Sequence, residues 1–531
     1  MVEHYKIIEE ASGSFIDRYI HTESFSAFYH YAMNDAGLKS RSDVRPNGRE
    51  QQLADIIAQY MGDNISQEQR ANIAALKEGH QVVIGGQQAG LFVSPLYTIH
   101  KIISIIVMAK EQSKKLGKHI VPVFWIAGED HDFAEVNHAN IYDKESIIHR
   151  VKYYPKQEVT DSVSHVQIEA EAFTAALNKL ISLLEETEHT KLLFTLFSQL
   201  PESWTEHFHK IVHELFKAYG VLFIDSQYPE LRQLERELLA WQFEHHLEID
   251  RAFREGQDSL AEQIGERQIV TDTNVHLFMQ YDGIRQLLKF ESGKYVLPKS
   301  DVSFTKEEIL KMIATVPERF SNNVVTRPLM QELVFNTLAF IGGPSEIKYW
   351  GELTQVFNLA DIKMPVVVPR MRITYITPEL LKIMSRYDIT VDGLFSKGIE
   401  HFEQNFLKSK ENYLVEQEIN AMQQQLEVSF KAIHQLDNDA ELSKLARNNL
   451  EHHNMQFNYF LETYRKQIKR RHNTEMKHFT KLRNELTPGG LQERIMHPAQ
   501  LLNRYGLNVF SDVIDSFETY HFEHLIIKTT E

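Results

Sequence analysis

Five short runs along the chain are apolar almost without interruption: VVI at 82–84, leading into the loop GGQQAG, then HIVPVFWIA at 119–127, YGVLFID at 219–225, TLAFIG at 337–342 and MPVVVPR at 364–370. Runs without polar alternation suit strands covered on both faces, hence a parallel sheet between helices. The segment SPLYTIHKIISIIVMAKEQSKKLG at 94–117 follows the first run as a helix, with Ser94 at the N-cap, Pro95 at the first helical position and Gly117 as the stop. Strand, helix and strand over 82–127 make one unit, for which a right-handed crossover is expected. The fold class expected is α/β.

Two other patterns interrupt that plan. TNVHLFMQYDGIRQLLKFESGKYVLP, at 273–298, alternates around Asp282-Gly283 and Ser292-Gly293, the signature of antiparallel hairpins. From about residue 400 the chain turns to Gln, Glu, Lys, Asn and His, with apolar residues at three and four spacing. Ile419, Met422, Leu426, Phe430 and Ile433 are followed, beyond the turn DNDAE, by Phe457, Leu461, Tyr464, Ile468, Met476, Phe479 and Leu482. A narrow seam on two long helices predicts an antiparallel coiled-coil arm. The expected organisation is a core over 1–380 with insertions at about 140–210 and 230–320, an arm over 381–485, and a C-terminal return over 486–531. In that return, YHFEHLIIK is expected as an edge strand of the core.

Length and charge narrow the function. A chain of 531 residues exceeds what one core supports. A net charge of −16 argues against a general nucleic-acid binder. The N-terminal MVEHYKIIEE has no basic and apolar signal regions, and IISIIVMA is too short to span a bilayer, so a cytoplasmic protein with no membrane partner is expected. With no cysteine in the chain, disulfides, thiolate metal sites and a cysteine nucleophile are excluded.

Candidate chemistry gathers at strand ends, where open α/β sheets hold their ligands. GGQQAG, with Gly86, Gln87, Gln88 and Gly90, reads either as an anion-binding loop before a helix N-terminus or as a plain tight turn. Tyr97, His100 and Lys101 lie early on the helix that follows, either aimed at the loop or lying on a polar face. The second strand ends in EDHD, and Glu129, Asp130, His131 and Asp132, with Asn137 and His138 beyond, offer either a general base beside a polar substrate or solvated loop charges. A dedicated metal site is not expected, because the two histidines are seven residues apart and match no HExxH-like pattern. Phe124, Trp125 and Phe133 are candidates for an apolar wall. FIGGPSEIKYW repeats the earlier grammar, with Ser345, Glu346, Lys348 and Tyr349 at a helix start, while Arg327, Arg370 and Arg372 flank strand ends as a candidate anion pocket.

Taken together, VIGGQQAGL, PLYTIHK, VPVFWIAGEDHDFAEVNH, YGVLFID, RPLMQE, FIGGPSEIKYW and GGLQER resemble the cysteine-adding enzymes of bacillithiol biosynthesis, over essentially the full length. The resemblance implies a Rossmann-like core with a helical arm associated with dimerisation. It also implies a ligase that joins L-cysteine to the glucosamine amine of glucosaminyl-malate in the last step. Because amide formation from a free carboxylate is uphill, ATP and Mg²⁺ are expected as activating co-substrates. The roles expected are Asp130 or His131 as base, and Arg327, Arg370, Arg372 and Lys348 as holders of carboxylate or phosphate. Two other readings stand beside this one: a metal-dependent hydrolase or deacetylase built on EDHD, and a non-enzymatic dimeric coiled-coil protein that binds a metabolite.

Overall fold

The computed structural model describes residues 2–7, 13–436 and 439–530; the first two residues of the expected DNDAE turn, 437 and 438, lie outside them. All five apolar runs are strands of one parallel sheet: β1 (Val82–Gln87), β2 (Val121–Ile126), β3 (Leu222–Asp225), β4 (Thr337–Gly342) and β5 (Val366–Pro369). They lie side by side in the order β5-β4-β1-β2-β3. The chain runs outward from β1 through β2 to β3, then restarts on the other side with β4 and β5. The direction reverses between β1 and β4, and at such a switch point the loops at the strand ends part to leave a crevice.

Helix α1 (Leu96–Leu116) connects β1 to β2, and its residues from Ile99 to Ala109 are all buried, which explains an apolar composition on every side. It starts one residue later than expected. Pro95 stands at the N-cap, Ser94 makes no side-chain cap, and the Leu96 N–H donates to the Met496 carbonyl at 2.9 Å. The helix terminus is therefore occupied by the chain itself and is not aimed at GGQQAG, contrary to the sequence expectation.

Between β3 and β4 the expected hairpins form. Leu277–Tyr281 pairs with Ile284–Leu287 across Asp282-Gly283, and Lys289–Glu291 pairs with Lys294–Leu297 across Ser292-Gly293. All four turn residues have positive φ, the geometry that two-residue hairpin loops require. Each hairpin gains a third strand that alternation did not reveal, Phe320–Asn322 on the first and Val302–Phe304 on the second. The C-terminal segment also differs from expectation. His524–Thr529 is not an edge of the parallel sheet but the middle strand of a separate sheet, between Val2–Ile7 and Arg372–Ile376.

The described residues up to Tyr375 and from Gly490 onward form one compact unit, and those between Ile376 and Gly489 a second. The second unit is helical, and each of its two expected long helices is broken once: Ile399–Lys410 from Tyr413–Leu436, and Ala440–Arg471 from Asn473–Leu486. The first break has a local cause. The Asn412 side chain accepts the Leu414 N–H, an alternative to the helical ladder. Of the seam, Ile419, Ile468, Phe479 and Leu482 are buried, whereas Met422 and Ile433 stay exposed. No helix among the described residues is long and apolar enough to cross a membrane.

Candidate functional site

A cavity of about 560 Å³ opens at the switch point. Gly86, Gln87 and Gln88 from the end of β1, Trp125, Ala127, Glu129 and Asp130 from the end of β2, and Glu346 and Tyr349 beyond β4 form one side. Phe278, Arg285, Asn322 and Arg327, from the inserted hairpin and the segment before β4, face them. Gly86 is required because a Cβ there would lie 2.8 Å from the Trp125 carbonyl oxygen and 3.1 Å from its Cβ.

Lys101 reaches this floor from α1. Its ammonium donates to the Gly86 carbonyl (2.6 Å), Gln87 Oε1 (3.1 Å) and Glu346 Oε2 (2.6 Å). Burial pulls its proton affinity down, and Glu346 offsets this only in part. Glu346 Oε2 also accepts the Gly343 N–H at 2.7 Å, so β1 and β4 are tied together across the point where they diverge.

The four residues of EDHD point to different partners. Glu129 turns inward to the buried Arg232, which also binds Glu235. Asp130 accepts from Gln88 Nε2 (2.5 Å) and from the N–H groups of His131 (2.7 Å) and Asp132 (3.3 Å). His131 Nδ1 receives a hydrogen bond from Arg285 Nη1 at 2.9 Å. Burial, then Arg285, hold the His131 imidazole below its ordinary range for protonation. Asp132 is the cap of a short helix, accepting the Glu135 N–H at 3.3 Å. Glu129 and Asp132 are thus committed to folding roles rather than to the base role expected of the cluster. Among the described residues no group of three His, Cys, Asp or Glu side chains is arranged to hold a metal ion. His131, Asp132, Phe133 and Asn137 line an adjoining recess of about 620 Å³, and Asp130 borders both spaces. His138 lies outside both and bonds the Ala134 carbonyl at 3.2 Å.

Several other sequence candidates stand away from the cavity. His100 lies on neither a polar face nor the loop; it is fully buried, with Nδ1 2.6 Å from Glu493 Oε2. Arg370 grips the same carboxylate at 2.6 and 2.7 Å and lies over the Tyr97 ring, so it is neutralised inside the fold. Burial opposes ionisation of Glu493, but Arg370 and His100 outweigh it and hold the carboxyl far below its usual range. Gly90 opens a tight turn, its carbonyl accepting the Val93 N–H at 2.9 Å. Lys348 turns to Glu266 at 3.4 Å, Ser345 is exposed on the helix Pro344–Trp350 that also carries Glu346, and Arg372 starts the strand Arg372–Ile376. Phe124 belongs to the core, packed on Phe208 and Phe223.

Arg285 was not legible as a site residue, and it changes the electrostatics. Buried arginines elsewhere are neutralised: Arg41 by Glu332, Arg232 by Glu129 and Glu235, Arg370 by Glu493. Among the described residues neither Arg285 nor Arg327 has a carboxylate partner, and both line the cavity. Arg285 is bound instead to Ser321 Oγ (2.9 Å), the Asn322 carbonyl (3.3 Å) and His131, with its guanidinium over the Phe278 ring. Burial pulls its proton affinity down to about 10, so it remains a cation. Arg327 contacts Gln331 Oε1 (3.1 Å) and the Tyr349 hydroxyl (3.4 Å). Trp125 Nε1 and Asn322 Oδ1, on two further lining residues, are buried without a protein partner. Buried polar groups without a partner cost stability, and a ligand with anionic and hydroxyl groups would satisfy them and pair with the two guanidiniums.

Comparison with known proteins gives the family. The model of the bacillithiol biosynthesis BshC N-terminal Rossmann-like domain matches residues 2–371, and that of the BshC C-terminal coiled-coil domain matches residues 373–529. Relatives named "Putative cysteine ligase BshC" include those of Staphylococcus saprophyticus, 42% identical over 94% of this chain and 95% of the relative, and Staphylococcus haemolyticus, 41% identical over 99% of both. That of Staphylococcus carnosus is 41% identical over 97% of this chain and 98% of its own. With both domain models matched in order and relatives aligned from end to end, the chain belongs to the bacillithiol biosynthesis BshC family.

Proposed function

We propose that the protein is a ligase that joins the carboxyl group of L-cysteine to the glucosamine amine of glucosaminyl-malate, the last step of bacillithiol formation. The observation that carries this reading is the pair of cavity guanidiniums without a carboxylate, beside Asp130 at the switch point. Malate brings two carboxylates, and planar guanidiniums bind carboxylate or phosphate through paired N–H donors. The volume of about 560 Å³ is in the range of small-molecule sites.

Amide formation needs an activated carboxyl group, which ATP with Mg²⁺ supplies as a co-substrate in this proposal. The guanidiniums without an ion-pair partner and the orphaned Trp125 and Asn322 groups suit its phosphates as well as they suit malate. The amine then attacks the cysteine carbonyl carbon. A C–N bond forms, the bond from that carbon to the activated oxygen breaks, and the amine proton passes to a base beside the cavity. Gln88 holds the Asp130 carboxylate in position for that transfer.

A metal-dependent hydrolase on EDHD is not favoured, since its four side chains are directed at Arg232, Gln88, Arg285 and a helix N-terminus. For the arm, exposed Met422, Val428, Leu445, Met455 and Phe460 support pairing with a second copy. The reading is tested by calorimetry with glucosaminyl-malate and with glucosamine alone. The malate-bearing ligand is expected to bind at least about tenfold more tightly, one charge-assisted bond's worth. Equal affinity for the two would remove the anion-pocket argument.

A further inference from the structure

We propose that Arg285 holds His131 as a neutral imidazole carrying its proton on Nε2, a hydrogen-bond donor to the ligand, so that Asp130 and not His131 takes the proton from the attacking amine. The base assignment rests on the ligase reading; the tautomer does not.

The geometry leaves one assignment. A guanidinium has only donors, so the 2.9 Å contact from Arg285 Nη1 to His131 Nδ1 requires a bare lone pair on Nδ1. A neutral imidazole with a bare Nδ1 has its proton on Nε2, and Nε2 has no protein partner among the described residues. Arg285 cannot swing aside without losing Ser321 Oγ, the Asn322 carbonyl and its seat on the Phe278 ring, which also packs against the His131 ring. Around the imidazole, Arg285 and Lys299 oppose a second proton, while Asp130 and Asp132 favour one; with burial added, the balance is against it. Asp130 Oδ1 is 3.7 Å from Nδ1, too far to compete with the arginine. His131 therefore has no lone pair free for substrate. Asp130 has one: its two oxygens accept three N–H bonds, out of about four acceptor sites on a carboxylate.

The tautomer is read by nitrogen NMR of full-length protein labelled with [15N]histidine, the His131 signals being identified by their loss in His131→Gln. The expected result is a pyridine-type Nδ1 and a pyrrole-type Nε2, unchanged between about pH 6 and pH 8, where a free histidine titrates. A protonated Nδ1, or an imidazolium in that range, overturns the proposal whatever the reaction is. The donor role is read by rescue. His131→Ala is expected to lower kcat for cysteine addition, and His131→Gln, whose amide N–H reaches the place of Nε2, to recover about tenfold of the loss. Asp130→Asn is expected to lose about 10²–10⁴-fold in kcat with no such rescue. Loss of activity in His131→Gln equal to that in His131→Ala, with both variants folded, would restore His131 as the base. If folded wild-type protein has the Nε2–H tautomer but adds no cysteine, it is the ligase reading that fails, and the base assignment with it.

Discussion

Replacing two arginines in the same way should have opposite consequences, because one is neutralised by the fold and the other is not. Arg232→Met leaves Glu129 and Glu235 buried with no cation; Arg232 Nη1 lies 2.5 Å from Glu235, and both of these side chains are fully inaccessible. Removing one partner of a buried pair costs about 3–5 kcal/mol. Burial, against the pull of Arg232, already pushes Glu235 up to about 7, so in the variant it folds protonated and the cost falls near about 3 kcal/mol. Arg327→Met strands no carboxylate. It gives up bonds to Gln331 (3.1 Å) and to the Tyr349 hydroxyl (3.4 Å) and the attraction of Tyr349 and Glu346, which together outweigh the burial of the cation. Its cost to stability is expected at about 1–2 kcal/mol, below that of Arg232→Met, while ligand affinity falls by about 1.5–3 kcal/mol, the range of one charge-assisted bond, or roughly 10- to 150-fold. Urea unfolding of both variants, followed by calorimetry with glucosaminyl-malate on the one that remains folded, measures both quantities. If Arg327→Met is as unstable as Arg232→Met yet binds normally, the reasoning that assigns Arg327 to a ligand is wrong.

Three further outcomes follow from the same geometry. Glu235 has a raised proton affinity, so its contribution to stability is complete below its unfolded value near 4.5 and is lost as pH rises through about 7; urea midpoints should fall more between about pH 4.5 and pH 7 for wild type than for Glu235→Gln. Glu493 has the opposite sign: its contribution is present above the unfolded value and lost only in strong acid, and Glu493→Gln at neutral pH, leaving Arg370 and His100 without their partner, should cost about 3–5 kcal/mol. Gly86→Ala places a methyl 2.8 Å from the Trp125 carbonyl, and should lose about 1–3 kcal/mol by overpacking together with ligand affinity, both read in the same two assays.

The parallel sheet was legible because a strand covered on both faces needs apolar residues at every position, and the site because the two richest polar clusters follow such strands directly. Long-range partners of buried charges leave no such mark. Nothing local in PLYTIHK separates His100, consumed by Glu493, from Lys101, which reaches the cavity, since the two residues are adjacent on one buried helix. Arg285 carried a faint signal: an arginine in the middle of an alternating hairpin strand, at a position that proves buried. The arm was legible as a seam, but its break at His472 was not, because no residue there is a helix breaker.

The central claim is amide synthesis, and it is tested most directly by incubating full-length protein with L-cysteine and glucosaminyl-malate, with and without Mg-ATP, and analysing the mixture by mass spectrometry. The account predicts bacillithiol only when nucleotide is present, with AMP or ADP formed in equal amount. Protein that is folded and binds glucosaminyl-malate, yet forms no amide or only hydrolyses its substrate, would contradict it.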